Sequence, residues 1–205
     1  MVAGQETQPG PGATPAQFRA AVDSAHGARL RPEVLCEEMP APQRIAPYAA
    51  ALSGDVTIEG DDLATGRLIL LHDPAGNDAW DGTFRLVAYV RAEVDPELAA
   101  DPMLGEVGWS WLTEALSAHG AEYAAPSGSV TRVVTESFGG MAGEPGSAQV
   151  EIRASWTPTV EDGPAADVVG HVEAWGELMC TAAGLPPVPE GVTAMPSRRG
   201  PRGDA

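Results

Sequence analysis

Read for the spacing of its apolar and polar positions, the chain divides into helical and extended stretches. "TPAQFRAAVDSAHG" places Phe18, Ala21, Val22 and Ala25 on one helical stripe. Thr14 is positioned to cap that helix, Pro15 suits its first turn, Gln17 stands three residues after the cap, and Gly27 ends it. "PEVLCEEM" reads as a short strand, and "QRIAPYAAALSGD" as a second, proline-interrupted helix ending near Gly54. Strand character then takes over. "GRLILLHDP" and "GTFRLVAYVRAEVD" flank the turn-rich "AGNDAWDG", the pattern of a hairpin with a long tip. In its second strand Phe84, Leu86, Ala88, Val90, Ala92 and Val94 alternate with Arg85, Val87, Tyr89, Arg91, Glu93 and Asp95. The amphipathic helix "GEVGWSWLTEALSAHG" follows and ends at Gly120.

The order then repeats. "SVTRVVTESFGG" and "SAQVEIRASWTPT" form another hairpin, with Val150, Ile152, Ala154 and Trp156 alternating with Glu151, Arg153 and Ser155. The helix "AADVVGHVEAWGELMCTAAG" closes it. An offset of 64 residues sets Trp111 on Trp175, Ser117 on Thr181 and Gly120 on Gly184. The predicted fold is therefore α+β: an antiparallel sheet of four to five strands, helices packed on one face, built from duplicated hairpin–helix units at about 66–120 and 127–185. Trp109 and Trp111 lie about 200° apart on a helix and cannot share a face. Trp111, matched in the second unit, is expected in the core. Trp109 is expected at the stripe edge, where an aromatic can anchor a partner.

Composition sets the boundaries of this body. The 24 glycines and 19 prolines crowd the two ends, so 1–13 and 186–205 are expected to be flexible tails around one domain at 14–185. All twelve basic residues are arginine, which removes Schiff-base and lysine-base chemistry and suits a high-GC coding bias. Net charge is −17, and residues 1–195 carry nine arginines against 28 acids. Such a body repels phosphate backbones and anionic lipid, so neither direct nucleic-acid binding nor membrane docking is expected. The opening "MVAGQETQPG" has no secretory pattern and no run approaches a membrane span. Cys36 and Cys180 sit in apolar segments outside any Cys-x-x-Cys pair, which fits reduced thiols in a cytoplasmic protein.

Most catalytic patterns fail on spacing. Gly108-x-Ser110 continues to Leu112 and is no nucleophile elbow. The four histidines lack ligand partners at zinc spacing, and no glycine-rich loop opens a helix after a strand; no catalytic residue, metal or cofactor is assigned. Two clusters remain. His72, Asp73, Asn77, Asp78 and Asp81 crowd the first hairpin tip, where such residues serve turns and miss the calcium-loop spacing. Arg85, Tyr89 and Arg91 with Arg132, Glu136, Glu151 and Arg153 project from alternate strand positions. Arginine forks there suit an anionic ligand, and cross-strand Arg–Glu pairing explains the same residues without one.

The segments "RLILLHDPAGNDAWDGTFRLVAYVRAE", "GWSWLTEAL" and "VEAWGELMCTAAGLPPVPEGV" resemble an actinobacterial family, domain of unknown function 3000. The resemblance spans nearly the whole chain and implies a cytoplasmic actinobacterial protein; it implies no activity and transfers no site residue. The expected function is a non-enzymatic acidic adaptor or chaperone-like module, partnered by another protein or by itself as a homodimer, with Trp109 as anchor. The alternative is an enzyme or sensor holding a small anion over Arg85, Tyr89, Arg91, Arg132 and Arg153.

Overall fold

The computed structural model describes residues 14–143, 146–159 and 167–187. The expected tails, 1–13 and 186–205, lie outside these residues apart from positions 186 and 187. Among the described residues the order is α1 (Ala16–His26), β1 (Val34–Met39), β2 (Tyr48–Ile58), β3 (Asp61–Asn77), β4 (Gly82–Val94), α2 (Pro96–Ala100), α3 (Leu104–Ala118), β5 (Tyr123–Thr135), β6 (Ser147–Pro158) and α4 (Val169–Ala182). The strands form one antiparallel, six-stranded sheet in the order β1-β2-β3-β4-β6-β5. No described helix is long and apolar enough to cross a membrane.

Both predicted hairpins are present, as β3–β4 and β5–β6. The α+β class holds, and the strand count rises to six because "YAAALSGDVTI" is β2 and not a helix. Alanine is the strongest helix former, but propensity is a weak determinant that a sheet overrides when both flanks pair. Here β1 pairs along one side of β2 and β3 along the other. At the first helix, Pro15 and not Thr14 occupies the N-cap, and no side chain caps it.

The alternation read from the sequence sorts the two sheet faces. Leu68, Leu70, Leu86, Ala88, Val90, Val150, Ile152 and Trp156 are buried beneath the helices. Helix α4 lies over β2, β3 and β4, while α3 packs on β5 and against α4. Its seat is a notch: Gly54 and Gly66 are cross-strand partners, and both face α4. A Cβ on Gly54 would lie 2.7 Å from Met179 Cε and 2.8 Å from Trp175 Cη2, and one on Gly66 would lie 3.0 Å from Trp175 Cζ2. Trp175 and Met179 are fully buried there. Large side chains on the helix thus require two absent ones on the sheet.

The α3 tryptophans do not divide into core and edge: both are half-buried against the core, so Trp111 is not the fully buried residue expected. Leu104, Gly108, Leu112, Ala115 and Leu116 form the buried stripe. Trp109 flanks it, half-buried, while Trp111 is only half-buried and Val107 is exposed. The stripe is decided by where β5 lies beneath α3, which helical periodicity alone does not specify.

His171 closes the core on the α4 side. It is 2 % exposed, and its Nδ1 accepts a 3.1 Å hydrogen bond from Trp156 Nε1. Burial pushes its pKa down to about 4, against a smaller opposing pull from Asp167.

Gly66→Val, which forces a branched side chain into the notch, is expected to lower unfolding free energy by about 2–3 kcal/mol in urea melts. The pH dependence has a defined sign. The unfolded chain protonates His171 near pH 6.5 and the folded chain only near 4. This contribution is therefore absent above about pH 6.5 and destabilises increasingly as pH falls, by up to about 3 kcal/mol. His171→Gln should flatten that slope in melts taken between about pH 7 and about pH 4.5.

Candidate functional site

The sheet face turned away from the helices carries a trough of about 710 Å³. Strand register builds it in rows. Arg67 of β3, Tyr89 of β4, Arg153 of β6 and Ser129 of β5 are successive cross-strand partners. Neighbouring strands sit about 4.8 Å apart, so two guanidiniums rise from backbones separated by about 10 Å with a phenol ring between them. The next row holds Thr65, Arg91, Glu151 and Thr131, and the row on the other side Ile69, Val87, Ser155 and Ser127. Arg67, Arg91 and Arg153 are all exposed on this face.

Local contacts orient these groups. Arg153 Cζ lies 5.1 Å from the Tyr89 ring centroid, within cation–π range, and its Nη2 pairs with Glu151 Oε2 at 2.8 Å. Tyr89 donates its hydroxyl to Glu151 Oε1 at 3.1 Å. Burial, and then that carboxylate, hold the Tyr89 pKa above its ordinary value. Arg91 donates from Nε and Nη2 to Gln149 Oε1 at 2.9 and 2.5 Å, a neutral partner. Glu151 is therefore the acid hydrogen-bonded into this cluster, while Asp55 and Glu93 share an adjoining depression with Arg91.

A fourth cation stands behind the trough wall. Arg85 is 6 % exposed, and its fork donates to Ala125 O, Thr157 Oγ1, Ser127 Oγ and both oxygens of Ser155 at 2.8 to 3.2 Å. All are neutral. Ser127 and Ser155 also line the trough, so they relay a buried positive charge to its surface. The same fork ties down the β5 irregularity between Ala124 and Ser127, where Ala125 has φ 47°. Arg85 is thus a strut with an electrostatic reach.

Over residues 14–193 the chain matches the family described as "Protein of unknown function (DUF3000)". It belongs to that family. All six strands and the four helices fall inside the matched stretch, so the bare trough is part of the DUF3000 fold of this chain. No curated protein and no solved structure matches it.

Four of the six residues expected at a site in this DUF3000 protein share the trough or its wall: Arg85, Tyr89, Arg91 and Arg153. Arg132 does not. It pairs with Val150, on the helix-covered face, and its Nη1 donates to Asp101 O at 2.8 Å, closing the end of α2. Trp109 is no exposed anchor either: its ring covers Gly128, where a Cβ would come within 2.7 Å of Cζ3. The hairpin tip consists of side-chain-capped turns, with Asp73 and Asn77 accepting from Ala75 N and Ala79 N at 3.0 Å. His72 is buried instead, stacked 4.1 Å from Phe84.

The residue that the sequence reading missed is Arg67. In "GRLILLHDP" both strand faces are apolar beyond it, so alternation does not mark a polar face. Only the pairing of Arg67 with Tyr89 places it in the trough.

Arg85→Met leaves several buried oxygens without a donor and is expected to cost about 3 kcal/mol of stability in urea melts. Arg85→Lys, which keeps the charge without the fork, should fall between it and the parent.

Proposed function

We propose that this protein is a non-enzymatic binding module, an acidic adaptor whose bare sheet face grips an anionic group presented by its partner. One observation carries the reading. In a chain of net charge −17, Arg67, Arg91 and Arg153 converge on one trough backed by the buried, neutrally hydrogen-bonded Arg85. The general field of such a body repels anions, so capture depends on a local patch of opposite sign. Arg67 and Arg153, flanking Tyr89 in one row, give a spacing suited to two oxygens of a phosphate or carboxylate group.

Binding is favoured over catalysis by the protonation chemistry of the lining. Arginine, serine, threonine and a tyrosine of raised pKa do not exchange protons near neutral pH, and the adjacent Glu151 is held by Tyr89 and Arg153. We place the protein in the cytoplasm of an actinobacterium, a reading supported by the lysine-free composition and by Cys36 and Cys180 as free thiols. The two hairpin–helix units are read as copies of one module, whose inner strands β4 and β6 meet at the trough floor.

Calorimetric titration with inorganic triphosphate and with an oligoglutamate peptide tests the reading. Arg67→Ala combined with Arg153→Ala should weaken binding by at least about tenfold, while Arg44→Ala in an exposed loop leaves it unchanged. Triphosphate binding without peptide binding would restrict the site to a free small anion. Binding by neither, or binding indifferent to the trough arginines, would sink the proposal.

A further inference from the structure

The helix layer does not seal the whole apolar face, and the gap lies far from the trough. Two cavities of about 270 Å³ each open between α1 and the β1–β2 edge, and they share Ala25, His26, Glu38, Leu52 and Val172. Burial shows the same gap independently. Leu68 and Leu70 of β3 are fully covered, while their partners Leu52 and Ala50 of β2 are only half-buried.

The gap follows from how α1 is held. Phe18 stacks on His72 and lies tilted against Tyr48 at one end of the helix. Ser24 then donates to Asp167 Oδ1 at 2.8 Å and accepts from Val168 N at 2.9 Å, tying α1 to the start of α4. The flank bearing Val22 and Ala25 is left over β2, and the small Ala25 and Ala50 do not fill the space. The His26–Glu38 contact, 2.6 Å long, lines both cavities at their solvent-exposed rim.

Interiors are packed to near-crystalline density, and an apolar cavity of about 150 Å³ already admits benzene. Leu68, Leu70 and Leu86 form the floor of the cavity that Val22 also lines. Among the described residues, the ionisable side chains of the two linings are Glu37, Glu38 and His26, with no arginine. An anionic head would meet Glu38 in an already acidic body, whereas an ammonium would take the place of His26 on that carboxylate.

We propose that the slot under α1 binds a small apolar amine, its hydrocarbon body on the leucine floor and its ammonium on Glu38. The proposal is independent of the trough and stands or falls separately.

The full chain is titrated by calorimetry with n-hexylamine, 1-hexanol and hexanoate, three heads on one body. Hexylamine is expected to bind at least about tenfold tighter than hexanol, and hexanoate more weakly than either. Ala50→Leu should weaken hexylamine and hexanol together by filling the slot. Glu38→Gln should bring hexylamine to the level of hexanol, and Glu97→Gln, an exposed acid on α2, should change nothing. Amine binding that survives Ala50→Leu, or that Glu97→Gln lowers as much as Glu38→Gln, is attraction to an acidic surface and overturns the proposal. So does the absence of binding by all three. If Ala50→Leu does not fold, methyl NMR of the parent chain decides: shifts at Val22 and Val172 on adding hexylamine support the slot, and shifts confined elsewhere overturn it.

Discussion

The seating of Trp175 and Met179 over two facing glycines organises the rest of the molecule. Gly54 and Gly66 remove adjacent side chains from β2 and β3, and α4 sinks into the space that they leave. Burying an indole and a thioether this close to the sheet gains contact area that a shallower helix would forgo. Any side chain at either glycine would lift α4, and with it the Trp156–His171 hydrogen bond and the α1 tether at Val168.

Because every long helix among the described residues is committed to that one face, these residues leave the opposite face bare, and its polar groups bond to each other. The arginines divide accordingly. Arg85 turns inward and braces β4, β5 and β6 through neutral oxygens, and Arg132 closes α2 from the helix side. Arg31 pairs with Glu33 at 3.1 Å and lies 3.7 Å from Glu177, near the buried Cys180 whose thiol burial pushes up to about 12. Arg67, Arg91 and Arg153 remain on the bare face and line the trough, with Glu151 paired to Arg153 beside it and Asp55 and Glu93 sharing an adjoining depression with Arg91. Among the described residues the lining of the trough is thus basic within an acidic chain, a distribution that global charge conceals.

The sheet is also unevenly covered at its other end. Helix α4 packs chiefly over β3 and β4, α3 over β5 and α2 over β6, and cover thins toward β1 and β2, where α1 is held at two points. The bare trough and the slot under α1 are consequences of the same economy of helices: three long ones cannot cover six strands on one side and any on the other.

Alternation along β4 and β6 by itself determined both hairpins, the sorting of their two faces and the presence of Arg85, Tyr89, Arg91 and Arg153 at polar strand positions, because a period of two is a local property of an extended chain. The tertiary structure decided whatever depends on a neighbour. It made β2 a strand by pairing both its flanks, turned Trp109 onto Gly128, moved Arg132 to the helix side and brought Arg67 beside Tyr89. Each of these is a matter of register or of which helix lies above which strand. Such contacts join residues distant in the chain, and no local period encodes them.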